Sequence, residues 1–106
     1  MRMLLVFSVL AGCLVLPAAA AVSESEAVAL TAKYNCKVCH TTNKKLVGPS
    51  YQDVAKKYSG DATSASKLAI KIKQGGSGAW GSIPMPPNNV PDPDLKKLVE
   101  WILSVQ

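Results

Sequence analysis

Residues 36–40 read Cys-Lys-Val-Cys-His and contain three side chains able to bind metals or form covalent bonds: Cys36, Cys39 and His40. The spacing C-x-x-C-H spells covalent attachment of a c-type haem. On a helix, positions i, i+3 and i+4 share one face. Two thiols so placed can add to the two vinyl groups of one porphyrin edge, and the imidazole at i+4 then reaches the iron. Three other chemistries use the same residues. A structural zinc site wants four ligands, whereas the chain beyond its N-terminal leader has two cysteines and one histidine. A thioredoxin-type dithiol expects a strand before the motif and a helix after it. A plain disulfide between Cys36 and Cys39 leaves His40 without a role.

The second chemical feature is Ile83-Pro84-Met85-Pro86-Pro87-Asn88. His40 is the only histidine, so two histidines cannot ligate one iron within a monomer. Met1 and Met3 fall in the leader, which leaves Met85 as the one thioether for the opposite face of the iron. A His/Met axial pair raises the reduction potential, because the sulfur is neutral and soft. Fixed φ at Pro84, Pro86 and Pro87 restricts the unligated segment and lowers the entropy cost of ordering it. A stiff segment also keeps the coordination geometry nearly unchanged between the two iron states. The alternative is that Met85 only fills core space, which leaves the sixth iron position empty or given to a lysine.

The first 21 residues read as a cleaved signal peptide: Arg2, an apolar run, then Ala18–Ala21 as a small-residue cleavage site. The run is shorter than the ~20 residues a spanning helix needs. The sequence therefore predicts export, with a periplasmic mature chain of residues 22–106. Leu10-Ala11-Gly12-Cys13 also resembles a lipobox, in which Cys13 would carry lipid. The apolar residues after Cys13 favour simple cleavage. Beyond the leader, eleven lysines face seven acids, a formal charge of about +4. This modest basicity suits an acidic protein partner. The lysines are scattered, which argues against nucleic acid.

Those residues need a scaffold. Ser23 and Glu26 have capping-box spacing. Ala27, Leu30, Thr31, Tyr34 and Val38 then recur at helical steps, predicting a first helix that leads into the motif. Residues 41–49 read as a loop. Pro49 is placed to open a second helix closed by Gly60. Residues 64–76 are ambiguous: Leu68, Ile70 and Ile72 alternate as in a strand, while Ala65, Leu68, Ala69 and Ile72 fit a helix. No second strand is evident to pair with, so a helix is expected there. Residues 75–91 read as one long loop. Asp92 is placed as the cap of a last helix, with Pro93 at its first position and Leu95, Leu98, Val99 and Ile102 as its buried stripe. The expectation is all-α: about four helices, no sheet and two long loops. So small a domain needs a staple, and haem would supply it.

Taken together, "CKVCH", "VGPSYQDVAKKY", "GAWGSIPMPPN" and "LVEWILSVQ" make the chain resemble the short bacterial class I cytochromes c over essentially all of residues 22–106. The resemblance implies a small cytochrome c fold wrapped around one covalent haem, with first and last helices crossing. It implies an exported monohaem electron carrier serving respiratory partners such as a nitrite reductase or a terminal oxidase. It implies that Pro49 offers its carbonyl to the His40 N–H, that Trp80 donates to a haem propionate and that Asn88 hydrogen-bonds near the Met85 sulfur. Family members often have arginine where this chain has Lys71 and proline where it has Ser82. Lysine makes a point-charge contact rather than a bidentate one, so the propionate contact of Lys71 differs in kind.

Two functions follow from these residues. The first is electron transfer by a monomer through an exposed thioether edge. Some of Lys33, Lys37, Lys44 and Lys45 would surround that edge and meet an acidic partner. The second is a haem peroxidase or gas sensor with a labile sixth ligand. The mature chain offers no second histidine and no arginine to assist O–O cleavage, and so favours the first, which is not an enzyme.

Overall fold

A computed structural model describes residues 12–14 and 21–106, and among these it shows five short helical segments and one hairpin. The stretch expected to be a signal peptide lies mostly outside the described residues; within them Cys13 is exposed, with a free thiol.

Helix α1 spans Glu24–Lys33. Its cap is Ser23, whose side chain accepts from the Glu26 N–H at 3.2 Å, satisfying one of the donors a helix start leaves open. The helix is shorter than its apolar stripe suggested. Tyr34 closes it, and Asn35 turns left-handed at φ 59°, a conformation asparagine tolerates better than most residues. Cys36–Val38 then form a single 3-10 turn, so the motif sits on a tight turn after α1 and not on a continuing helix. Val38 is 67% exposed.

Helix α2 spans Tyr51–Lys57 and is capped by Ser50, which accepts from the Asp53 N–H at 3.1 Å. Pro49 therefore precedes the cap and does not open the helix. Helix α3 spans Ser64–Gln74. Leu68 and Ile72 are buried while Ile70 is 55% exposed, which is the helical alternative of the two periodicities. Helix α4 spans Asp92–Ser104 with Pro91 at the cap position and Asp92 as its first residue. Its buried residues are Leu95, Leu98, Val99, Trp101 and Ile102. They meet Ala27 and Leu30 of α1, Tyr51 and Val54 of α2, and Leu68 and Ile72 of α3 in one core. Each such aliphatic side chain contributes roughly 1.5–3 kcal/mol on burial.

The expected loop over 75–91 is part hairpin. Strand β1, Gly76–Gly78, pairs antiparallel with β2, Gly81–Met85; Gly76 faces Met85 and Gly78 faces Gly81, with an irregularity between. The fold is thus mostly helical with one small two-stranded sheet.

Candidate functional site

The core is open on one side. A cavity of about 510 Å³ is lined by Cys36, Cys39 and His40 from the 3-10 turn and the loop after it, by Leu68, Lys71 and Ile72 from α3, by Leu98 and Ile102 from α4, and by the hairpin with Trp80 and Met85. Every site residue expected from the sequence lines it except Asn88. That size and an apolar wall with a few convergent polar groups are typical of a cofactor pocket.

His40 is held from three directions. The turn fixes its backbone: His40 N–H donates to Cys36 O at 3.0 Å. The ring Nδ1 lies 2.7 Å from Pro49 O. With Nδ1–H as donor to that carbonyl, Nε2 is left as a lone pair free to bind metal. The Tyr51 ring stacks on the imidazole, centroids 5.5 Å apart, and Trp101 meets Tyr51 edge-on at 5.0 Å. Gly48 is the reason the loop can pass so close. A Cβ there would lie 2.5 Å from His40 Cε1, closer than any side chain tolerates. The same glycine N–H donates to Cys39 O at 2.8 Å, which ties loop to motif.

Cys36 and Cys39 are not joined in a disulfide, and burial pushes the Cys36 thiol up. Among the described residues no group of three or more His, Cys, Asp or Glu side chains is arranged to hold a metal ion, so a zinc site finds no support. The dithiol reading lacks its preceding strand, since α1 leads into the motif.

Met85 ends β2 and is half-buried against the core. Gly75, at φ 67°, lies against the Met85 carbonyl and the Pro86 backbone, leaving no room for a side chain. Asn88 braces the segment from outside the cavity: its N–H donates to Ile72 O at 2.9 Å, and its side-chain amide to Pro86 O at 3.0 Å and to Ile72 O at 3.4 Å. Trp80, 42% exposed, forms part of the cavity wall. Of the four lysines near the motif, Lys45 lines the cavity, and Lys37 and Lys44 are exposed. Lys33 faces α4, 3.8 Å from Asp94.

Three residues of the site escaped the sequence reading: Gly48, Tyr51 and Lys57. Gly48 had a signal in its Gly-Pro pair. Tyr51 had only its place in an apolar stripe. Lys57 had none, because its partners lie more than twenty residues away.

The donor set fits an iron porphyrin: two thiols, an oriented imidazole and a thioether around one apolar space. The comparisons agree. The family model for Cytochrome c matches residues 25–106. Cytochrome c-552 of Hydrogenobacter thermophilus is 53% identical over 77 residues, covering 73% of this chain and 79% of that protein. Cytochrome c-551 of Azotobacter vinelandii is 56% identical over 69 residues, 65% of this chain and 84% of that one. The crystal structure of wild-type Nitrosomonas europaea cytochrome c552 superposes with a TM-score of 0.71 at 50% identity, over 74% of this chain and 99% of that chain. The chain belongs to the cytochrome c family, and its cofactor is a covalently bound haem c.

Proposed function

We propose that the protein is an exported electron carrier whose haem is joined to Cys36 and Cys39 by thioethers and ligated at the iron by His40 and Met85. The observation that carries this reading is the single cavity to which all four side chains contribute. Iron with both axial positions filled supplies one-electron transfer between its ferric and ferrous states. His40 presents Nε2, and the Pro49 carbonyl holds its tautomer and orientation and strengthens it as a donor. Met85 supplies the soft neutral sulfur, held by a proline-flanked strand end. Trp80 and Lys71 stand in the cavity wall as partners for the propionates; Asn88 steadies the segment that carries Met85. The thioether edge, with Lys37, Lys44 and Lys45 near it in sequence, is the face for an acidic redox partner, such as a nitrite reductase or terminal oxidase of the periplasm. The protein works as a monomer and performs no catalysis of its own.

Met85→Ala tests the ligand set. The variant keeps its covalent haem, loses the sulfur-to-iron charge-transfer band of the oxidised protein, and drops in potential by a sizeable part of the ~0.8 V range that axial ligands span. An unaltered oxidised spectrum rejects Met85 as ligand. A high-spin ferric wild-type protein that takes up cyanide readily points instead to the sensor or peroxidase reading.

A further inference from the structure

The hairpin that carries Met85 has little to hold it down. Every residue of β1 and β2 is exposed apart from Met85, which is half-buried. Six of the eight residues from Gly76 to Ile83 are glycine, alanine or serine, so few apolar side chains can anchor the hairpin to the helices. At its base, Asn88 bonds to Ile72 of α3. At its tip, among the described residues, one side chain of the helical body hydrogen-bonds to it. Lys57, the last residue of α2, donates from Nζ to Ala79 O at 3.0 Å and sets the same ammonium 4.6 Å from the centre of the Trp80 ring.

We propose that Lys57 is a positioning residue: it latches the tip of the hairpin to α2, fixes the Trp80 ring in the cavity wall and limits how often the hairpin lifts off the haem. Three observations converge on it. Its two contacts fall on adjacent residues, so hydrogen bond and cation–π attraction act on one spot. Trp80 lines the cavity, while Lys57 touches it from outside. Apart from Met85 the hairpin buries no residue against the helices, and segments with few such contacts open most readily. In functional terms the latch guards the sixth ligand, and so it rests on the reading of Met85 given above.

The test uses the intact haem protein and two variants. Lys57→Met keeps the length and apolar stem of the side chain and removes the donor and the charge. Lys57→Arg keeps both. Amide hydrogen exchange is followed residue by residue, together with Trp80 fluorescence and the rate at which imidazole binds the ferric protein. In Lys57→Met, exchange at residues 76–85 rises about fivefold, from the combined loss of an exposed hydrogen bond and a cation–π contact. Trp80 fluorescence changes, imidazole enters faster by a similar factor, and α1 and α4 exchange as before. Lys57→Arg restores wild-type behaviour. Unchanged hairpin exchange in Lys57→Met overturns the latch. So does an equal rise in every helix, which reduces Lys57 to general support of the fold, and so does failure of arginine to restore. Hairpin exchange and Trp80 fluorescence report the latch whichever group is sixth ligand; the sulfur-to-iron band of the wild type reports the ligand, so the two readings fail separately.

Discussion

Tyr51 carries a tension at the scale of one residue. Its ring is placed well, between His40 and Trp101. Its hydroxyl is buried and has no hydrogen-bond partner among the described residues, and burial pushes the phenol far up from its ordinary range. An unsatisfied buried hydroxyl costs about 1–3 kcal/mol. Tyr51→Phe keeps the ring against the imidazole and removes the hydroxyl. The haem-loaded variant is expected to be as stable as wild type or more stable by about 1 kcal/mol, read as the denaturant midpoint at unchanged slope. A midpoint that falls would mean the hydroxyl finds an acceptor on the cofactor or on an ordered water beside it. The reduction potential stays within a few hundredths of a volt in the first case, because the Pro49 carbonyl remains on Nδ1. Gly48 makes the complementary point about space: its importance lies in a missing atom, which no chemistry-bearing motif signals.

The elements that stack on α4 decide whether the cavity exists at all. Leu98 is 1% exposed in the core and also lines the cavity. Leu98→Ala is expected to cost about 3 kcal/mol, the transfer term plus the void left behind, measured by denaturant unfolding of the haem protein. A cost below about 1 kcal/mol would mean that the site collapses around the change. The helices were legible in the sequence because their stripes are long and their caps are local. Ser23 with Glu26 marks the start of α1, and Leu95, Leu98, Val99 and Ile102 mark the inner face of α4. The hairpin was not legible. Gly76, Gly78 and Gly81 have φ of 125°, 105° and 117°, conformations open to glycine, and they supply none of the alternating β-branched residues that announce a strand. Its pairing is read only once Met85 is set beside Gly76 in space. The end of α1 failed for a related reason. Tyr34 and Val38 continue the helical spacing, but the left-handed Asn35 breaks the rod first, and the break is what turns Cys36 and Cys39 toward the cavity. The residues that gather at the cavity, by contrast, were legible from the five residues of the motif and one isolated methionine, since those stand out by residue type and spacing rather than by backbone conformation.

At the scale of the whole molecule, the lysines fall into those paired with acids of the same chain and those that are not. Several lysines are engaged with acids of the same chain: Lys33 and Lys97 tie α1 to α4 through Asp94 and Glu26, Lys67 binds Asp61, and Lys73 pairs with Asp92. The Glu26 carboxylate holds the Lys97 ammonium above its ordinary range, as Asp61 does for Lys67. All four pairs are at least partly exposed and each contributes little to stability. Lys37, Lys44 and Lys45 form none of these bridges. They are exposed beside Val38, Leu46 and Val47, which are 67%, 53% and 47% exposed. On the docking face proposed above, long-range steering should fade as salt shortens the reach of charge to about 8 Å near physiological ionic strength. Reduction of the ferric protein by an acidic redox partner is therefore expected to slow on the order of tenfold as ionic strength rises from about 0.01 to 0.3 M. The triple change Lys37→Gln, Lys44→Gln, Lys45→Gln should flatten most of that dependence. Equal salt dependence in wild type and triple variant would assign the steering to other lysines. A rate indifferent to salt would leave the apolar centre, Val38 with Leu46 and Val47, as what the partner recognises.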